Sequence, residues 1–257
     1  MNPDHIIIAG SQKCGTSTLF EWLATHPEIG TAIDASSHKP IKELHFFGGK
    51  NWPKGFDWYA SQFPHHSKRS LDATPEYLTH ANVPMMIAKV FPRANIIVTL
   101  REPISRAMSQ HNHYLQQFPQ TADWDWRCPG EDFAKNVSAE LEQPFEPWRG
   151  IVGRGLYAQQ LLHWSSVIPR SQLCVVILEE WQLRPIETLH RIFDFLCLER
   201  ICPVDLKPHH LQAYIALHDP LVTIDVLTDL YKSANDQLFN WLGREIPAWQ
   251  KYYSRGN

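Results

Sequence analysis

The clearest apolar runs in the chain are continuous rather than alternating. His5-Ile6-Ile7-Ile8-Ala9 is closed by Gly10, and Asn95-Ile96-Ile97-Val98-Thr99-Leu100 is β-branched throughout, so both read as strands buried on two faces. Ser70 to Ala73 and Leu173 to Leu178 read as shorter strands of the same kind. Between them the spacing turns helical: after the loop Gly10 to Thr18 through Leu19, Leu23 and His26, from Val83 to Phe91, and from Pro103 through Tyr114. Further helices are predicted over Glu131 to Glu142, Leu156 to Val167, Pro185 to Leu196 and Asp225 to Leu242, where Gly243 is the stop. A short helix fits Trp52 to Phe63, and residues 31 to 42 read as irregular and polar. Leu161, Leu162, Trp164, Leu227, Leu230, Tyr231, Leu238 and Leu242 are predicted core positions. Strands alternating with helices predict an α/β fold, a central parallel sheet flanked by helices.

A chain of 257 residues suits one such domain better than two, so residues 1–257 are expected to form a single domain. Residues 117–150, with Pro119, Trp124, Trp126, Pro129, Gly130, Pro144, Pro147 and Trp148, are expected to be an irregular lid or acceptor-binding insertion. The net charge of −3 argues against a nucleic-acid partner, so any anion site must be local. No apolar run approaches bilayer length and the first strand begins within a few residues of Met1. The expectation is therefore a soluble, cytoplasmic protein without a membrane partner. Its five cysteines lack C-x-x-C spacing, and His65-His66 and His209-His210 lack the spacing of a helical zinc pair, so neither a disulfide framework nor a metal is expected. Oligomeric state is not legible in a single sequence.

Candidate chemistry begins in the first loop. Gly10-Ser11-Gln12-Lys13-Cys14-Gly15-Thr16-Ser17-Thr18 joins a strand to a helix, where glycines allow a close backbone approach and helix N–H groups favour an anion. Lys13 adds a charge and Thr16, Ser17 and Thr18 add hydroxyl donors; Cys14 reads as a small filler. In the ATP-binding loop G-x-x-x-x-G-K-[ST] the lysine follows the last glycine, whereas here Lys13 precedes Gly15. Lys42-Glu43-Leu44-His45-Phe46-Phe47 is the second chemical stretch. Glu43 and His45 are both candidate bases, on one side of an extended segment. Asp72 ends a strand at a probable cleft edge, and Arg101 follows the central strand, where ligands of open α/β sheets bind and where an arginine fork suits phosphate. Ser109 and His113 lie on the helix that follows, Tyr157 in the first turn of a later one, and Trp124, Trp126 and Trp148 are aromatic candidates for an acceptor face or for stapling the loop.

Taken in order, these blocks resemble the sulfotransferases that use 3′-phosphoadenosine 5′-phosphosulfate (PAPS). The pattern is most similar to the heparan sulfate branch, the N-deacetylase/N-sulfotransferases and 3-O-sulfotransferases. The resemblance is carried by Gly10 to Leu19 with His26-Pro27, by Lys42 to Phe47, by Gly55-Phe56-Asp57-Trp58-Tyr59, by Arg101-Glu102-Pro103 with Arg106 and Ser109, and by Leu156-Tyr157 with Trp164. It implies a P-loop NTPase-like sulfotransferase fold and in-line sulfuryl transfer from PAPS to a hydroxyl or amine, releasing PAP, without a metal. It implies that Lys13 contacts the sulfuryl group and bridging oxygen. Ser11, Gln12, Cys14, Gly15, Thr16, Ser17 and Thr18 would form the 5′-phosphosulfate loop, and Arg101 and Ser109 would hold the 3′-phosphate, with Tyr157 on the cofactor side. Glu43 matches the family base, with His45 as alternative; Asp72, His113 and the three tryptophans fall to the acceptor side. Asp72-Ala73-Thr74 stands where the heparan enzymes carry Glu-Lys-[Ser/Thr], and the family's C-terminal cysteine pair and Lys-Gly-Arg loop are absent from residues 202 to 222. His209, His210 or Arg154 would then close over PAPS, and the expected acceptor is a small saccharide or natural product. A magnesium-dependent P-loop kinase and a nucleotide-binding module without catalysis are the competing readings.

Overall fold

The computed structural model describes residues 4–34, 36–64, 67–117, 132–142, 148, 150–203 and 221–253. Their packing separates into two compact units: the described residues up to Leu100 with Trp164 to Pro203, and Arg101 to His163 with the described residues from 221 onward.

The first unit carries one six-stranded sheet. Its strands are β1 (Asp4–Gly10), β2 (Ile29–Ile33), β3 (Pro40–Ile41), β4 (Arg69–Ala73), β5 (Asn95–Leu100) and β6 (Leu173–Ile177), in the order β3-β2-β4-β1-β5-β6. Every neighbouring pair is parallel except β2 with β3. The α/β architecture with a central parallel sheet is therefore present. The helices in chain order are α1 (Thr16–Ala24), α2 (Gly55–Ser61), α3 (Val83–Val90), α4 (Pro103–Gln117), α5 (Phe133–Leu141), α6 (Tyr157–Ser165), α7 (Leu178–Leu183), α8 (Pro185–Phe195), α9 (Leu221–Leu242) and α10 (Pro247–Tyr253). Helices α4, α5, most of α6, α9 and α10 belong to the second unit.

Alternation along the strands decides what each face of the sheet meets. Ile6 and Ile8 of β1, Leu71 and Ala73 of β4, Ile97 of β5 and Val176 of β6 form one cluster with Leu19, Phe20, Trp22 and Leu23 of α1 and Leu189, Ile192 and Phe193 of α8. The intervening residues join an aromatic layer. His5 stacks on Phe91 with ring centroids 3.6 Å apart, and Asp72 meets Tyr59 and Tyr77, which pack with Phe46, Phe47 and Phe63. Residues 31 to 42, expected to be irregular, contain part of β2 and all of β3. These strands are five and two residues long and carry Gly30 and Pro40, too short and too broken to show a period. Helix α7 was also not anticipated: Glu179 and Glu180 lie in its own first turn, where carboxylates suit the helix dipole, and α8 starts after Arg184.

The second unit is helical, with a core of Ile104 and Ala107 from α4, Phe133 and Val137 from α5, Leu227 and Tyr231 from α9, and Ile151, Val152 and Leu156 between α5 and α6. Of the predicted core pair Leu161 and Leu162, the first is fully buried and the second is 50% exposed, because successive helical residues point about 100° apart. Asp132 caps α5 by accepting from the Ala134 N–H at 2.9 Å, so the helix starts at Phe133 rather than Glu131. Helix α9 begins four residues before the expected Asp225. No helix among the described residues is long and apolar enough to cross a membrane. Of the expected lid at 117–150, α5 and Trp148 are described; Trp124, Trp126 and Cys128 lie outside the described residues, as do His65, His66, His209 and His210.

A buried carboxylate organises this unit. Glu140 accepts from the backbone N–H groups of Ile151 at 2.7 Å, Val152 at 3.0 Å and Gly153 at 2.7 Å, while the fully buried Arg106 donates to the Ile151 carbonyl and Tyr231 Oη to the Val152 carbonyl. Gly150 has a left-handed φ of 71°, and a side-chain carbon there would overlap the Glu140 carboxylate. Glu140→Ala would strand three buried N–H donors and the buried Arg106, so it should cost about 3 kcal/mol or more. Comparing urea midpoints of Glu140→Ala and Glu142→Ala, the latter an exposed carboxylate, checks this; equal midpoints would refute it.

Candidate active site

Strand β1 ends at Gly10, and the loop that follows is tied to β5. The Ser11 N–H donates to the Thr99 carbonyl at 2.7 Å, and Thr99 Oγ1 donates to the Gly10 carbonyl at 3.1 Å. The chain then turns through two left-handed residues, Lys13 (φ 67°) and Gly15 (φ 81°), before α1 opens at Thr16. A side-chain carbon at Gly15 would stand 2.8 Å from Leu178 Cδ1 and 3.0 Å from the Trp181 ring, so the loop presses against α7. Ser11, Cys14, Thr16 and Thr18 are buried, whereas Gln12, Lys13, Gly15 and Ser17 retain exposure. Cys14 Sγ donates to the Gln12 carbonyl, consistent with a filler. Ser11 Oγ is buried with no hydrogen-bond partner. A lysine, a buried hydroxyl free to donate and the N–H groups that open a helix are a donor set suited to a phosphate-linked anion.

The second stretch lies beside this loop because β4 is the parallel neighbour of β1. The Glu43 N–H donates to the carbonyl of Ala73, the last residue of β4, at 3.0 Å. Glu43 and His45 have φ of 67° and 45°, so the segment is coiled rather than extended, and the two side chains meet by that route. His45 Nε2 is 3.5 Å from Glu43 Oε2, and Lys42 Nζ also pairs with Glu43. On its other side His45 Nδ1 is 3.3 Å from Glu76 Oε2, and Gln12 Nε2 donates to Glu76 Oε1 at 3.3 Å. Leu44, Phe46 and Phe47 are buried and anchor the segment from below.

Asp72, counted among acceptor-side candidates, is turned into the aromatic layer. Thr74 Oγ1 donates to one oxygen at 2.8 Å, and Tyr77 Oη and Tyr59 Oη donate to the other at 2.9 Å and 3.2 Å. Period two explains the correction: Leu71 and Ala73 face α1, so Asp72 faces the rings. Thr74 Oγ1 in turn accepts from the His45 N–H, and Tyr77 Oη from the N–H groups of Phe46 and Phe47. Burial holds the Asp72 carboxyl above its usual range and both tyrosine hydroxyls far above theirs.

Charge pairing sets the state of the two base candidates. Burial alone would raise Glu43, but the hydrogen bond from His45 and the charge of Lys42 outweigh it and bring the carboxyl down to about 2. The bonds to Glu43 and Glu76 outweigh burial at His45 and raise it to about 9, so it is an imidazolium at neutral pH. Glu76 and its link to Gln12 were not anticipated. In sequence, Thr74-Pro75-Glu76-Tyr77 simply follows the predicted strand Ser70 to Ala73, and nothing in its spacing points to His45.

The remaining candidates belong to the second unit. Arg101 opens it, its carbonyl accepting from Tyr157 Oη at 2.8 Å. Ser109 is buried two turns into α4, and His113 is half-buried one turn further on. Trp148 meets His163 edge to face at 5.3 Å, and Arg154 is buried in the turn that precedes α6.

The first unit is a parallel α/β sheet that sets a lysine-bearing strand-to-helix loop beside the paired Glu43 and His45. The chain belongs to the sulfotransferase domain family, which matches residues 3–204. The bifunctional heparan sulfate N-deacetylase/N-sulfotransferase 2 of Bos taurus is 31% identical over 198 residues, covering 74% of this chain but 21% of the relative, so the chain spans about a fifth of that protein. Heparan sulfate glucosamine 3-O-sulfotransferase 3B1 of Mus musculus is 28% identical over 264 residues, covering 93% of this chain and 63% of the relative. Among solved structures, a sulfotransferase from Alicyclobacillus acidocaldarius aligns with a TM-score of 0.76 at 24% identity, over 97% of this chain and 99% of its own. Mouse sulfotransferase SULT7A1 complexed with PAP aligns with a TM-score of 0.51 at 18% identity, over 77% of this chain and 60% of its own. Both share the fold.

The paired groups leave a signature in stability. Glu43 lies below its ordinary 4.5, so its contribution is full above that value and lost as pH falls toward 2. His45 lies above its ordinary 6.5, so its contribution is full below that value and lost as pH rises through 9. The stability gap between the wild type and His45→Gln should therefore be widest near pH 5–6, about 1 kcal/mol or less for these part-exposed groups, and should close toward pH 9. Thermal melts of both proteins across that range check it; a gap that widens with pH would contradict it.

Proposed function

We propose that this domain transfers the sulfuryl group of PAPS in line to a hydroxyl or amine of a small polar acceptor, a saccharide or natural product, releasing PAP. One observation supports the reading above others: the Lys13 loop and the Glu43 carboxylate stand at the carboxyl ends of the adjacent parallel strands β1 and β4. Sulfuryl transfer needs a cation at the leaving oxygen and a base at the attacking hydroxyl or amine, on opposite sides of the transferred group.

The loop residues fit the donor. Ser11 offers a buried, uncommitted hydroxyl, and the N–H groups opening α1 with Thr16, Ser17 and Thr18 suit the 5′-phosphate. Bound there, PAPS supplies a sulfuryl group on a phosphate leaving group. Lys13 stabilises the charge that gathers on the departing phosphate oxygen, a strong effect where water is excluded. Glu43 takes the proton of the attacking hydroxyl or amine. What favours it over His45 is protonation: the imidazole is already held as its cation by two carboxylates and has no lone pair to offer at neutral pH. In the second unit Arg101 and Ser109 are the residues we assign to the 3′-phosphate, with Tyr157 bonded to the Arg101 carbonyl. Position 73, where the heparan branch has lysine, holds a buried Ala73 between Asp72 and Thr74, so it contributes no cation for an anionic acceptor. That favours an acceptor less charged than heparan sulfate.

Lys13→Ala should reduce turnover with PAPS by about 10³-fold, the scale of losing a charge-stabilising donor, and Glu43→Gln should do so by about 10²-fold or more while keeping PAP binding. Full activity in Glu43→Gln would remove the carboxylate from the base role. PAP without metal, at about 100 times its dissociation constant, should raise stability by about 2.7 kcal/mol in a thermal melt. Stabilisation only by ATP with magnesium would overturn the reading in favour of a kinase.

A further inference from the structure

Among the described residues, Glu76 touches both chemical stretches of the first unit. It sits in the turn Pro75–Thr79 that follows β4, and its two oxygens divide between neighbours: Oε1 accepts from Gln12 of the phosphate loop, and Oε2 faces His45 Nδ1, each at 3.3 Å. His45 then presents Nε2 to Glu43 at 3.5 Å. The imidazole is thus clamped between two carboxylates, one on each ring nitrogen. Each ring nitrogen thus has a carboxylate within ion-pair distance, on opposite sides of the ring.

Resting on the sulfotransferase reading, we propose that Glu76 is a positioning residue for the transfer step. By clamping His45 in its protonated form it orients the Glu43 carboxylate, and through Gln12 it ties that orientation to the phosphate-binding loop. The argument is one of charge balance. Lys42 and Glu43 flank His45 on its own segment. From β4 comes Asp72, set behind Thr74 and hydrogen-bonded by Tyr59 and Tyr77; from the turn comes Glu76; from the phosphate loop come Gln12 and its neighbour Lys13. When Glu43 takes the acceptor's proton it ceases to balance His45. Glu76 then remains as the direct counter-charge, so His45 keeps its proton and its geometry through the step. Without Glu76, protonation of Glu43 would leave a half-buried imidazolium with no carboxylate in contact, and His45 would surrender a proton in turn.

Glu76→Gln keeps the shape and the link to Gln12 while removing the charge. NMR titration of His45, its signal assigned by loss in His45→Gln, reads the clamp without turnover: the midpoint should fall from about 9 by about 1 unit or more. In turnover with PAPS and an active acceptor, the wild type should be level between about pH 5 and pH 8, whereas Glu76→Gln should lose about fourfold or more between pH 6 and pH 8.5 and recover at the acid end. Glu76→Asp should restore part of the level range. A His45 midpoint unchanged in Glu76→Gln, in a chain that PAP stabilises, overturns the proposal alone. So does a loss of turnover that is uniform with pH, the mark of a merely structural residue. A wild-type chain that PAP does not stabilise overturns the sulfotransferase reading, and the catalytic half of the proposal with it, whatever His45 does.

Discussion

The hydrogen bonds converging on the Asp72 carboxylate hold the candidate site in shape. An isolated buried carboxylate is costly, and here three hydroxyls offset that cost. Two of them work in both directions. Thr74 Oγ1 gives its proton to Asp72 and accepts the His45 N–H; Tyr77 Oη does the same and accepts the N–H groups of Phe46 and Phe47. A hydroxyl polarised by a carboxylate on one side is a better-defined partner on the other. A residue near the end of β4 thereby dictates the backbone of a segment that carries Glu43 and His45 in left-handed conformations, which cost energy without such anchoring. Asp72 thus shapes the segment that carries Glu43 and His45 through this scaffold.

The second unit uses a buried carboxylate for a related purpose. Glu140 gathers three consecutive backbone N–H groups that no helix or strand satisfies, and Glu102 accepts from the Ile104 and Ser105 N–H groups at the start of α4. In each case a carboxylate pins irregular backbone so that the functional candidates nearby sit on fixed supports. Arg101 precedes the Glu102 cap, and Arg154 and Tyr157 follow the Glu140 cradle. A site built on loops can be as definite as one built on helices when every buried N–H has its acceptor.

Much of this was legible in the sequence, for physical reasons that also mark the limits. The run His5 to Ala9 and the run Asn95 to Leu100 announce themselves because a strand buried on both faces must be apolar throughout, and the loop to Thr18 because glycine and hydroxyl residues mark the turn from strand to helix. Glu43 and His45 were visible as chemistry on an aromatic background. Strands β2 and β3 were not, since five and two residues interrupted by glycine and proline carry no period. Asp72 was found but assigned to the wrong side, because a strand-end carboxylate looks alike whether it faces solvent or a layer of tyrosines. Glu76 was missed altogether: its partners lie 31 and 64 residues away, and no local pattern reports a contact made through the pairing of β4 with β1.

The same pairing bears on how a carboxylate held at about 2 could serve as a base. Two opposed effects set that value: burial raises it, while His45 and Lys42 lower it. Lys42 and Glu43 are adjacent in the chain on a segment that retains exposure, whereas His45 also faces Glu76. An acceptor hydroxyl that donates to Glu43 must compete with those pairings. As it displaces Lys42 it also excludes water, so the lowering influence weakens while the raising one grows. Basicity would then be lowest in the free domain, where an exposed strong base is of no use, and highest when the acceptor is in place. On the proposed reading His45, paired with Glu76 as well as with Glu43, stays to orient the carboxylate. Keeping one partner fixed while the other leaves would, on that reading, turn a resting ion pair into a base when the acceptor arrives.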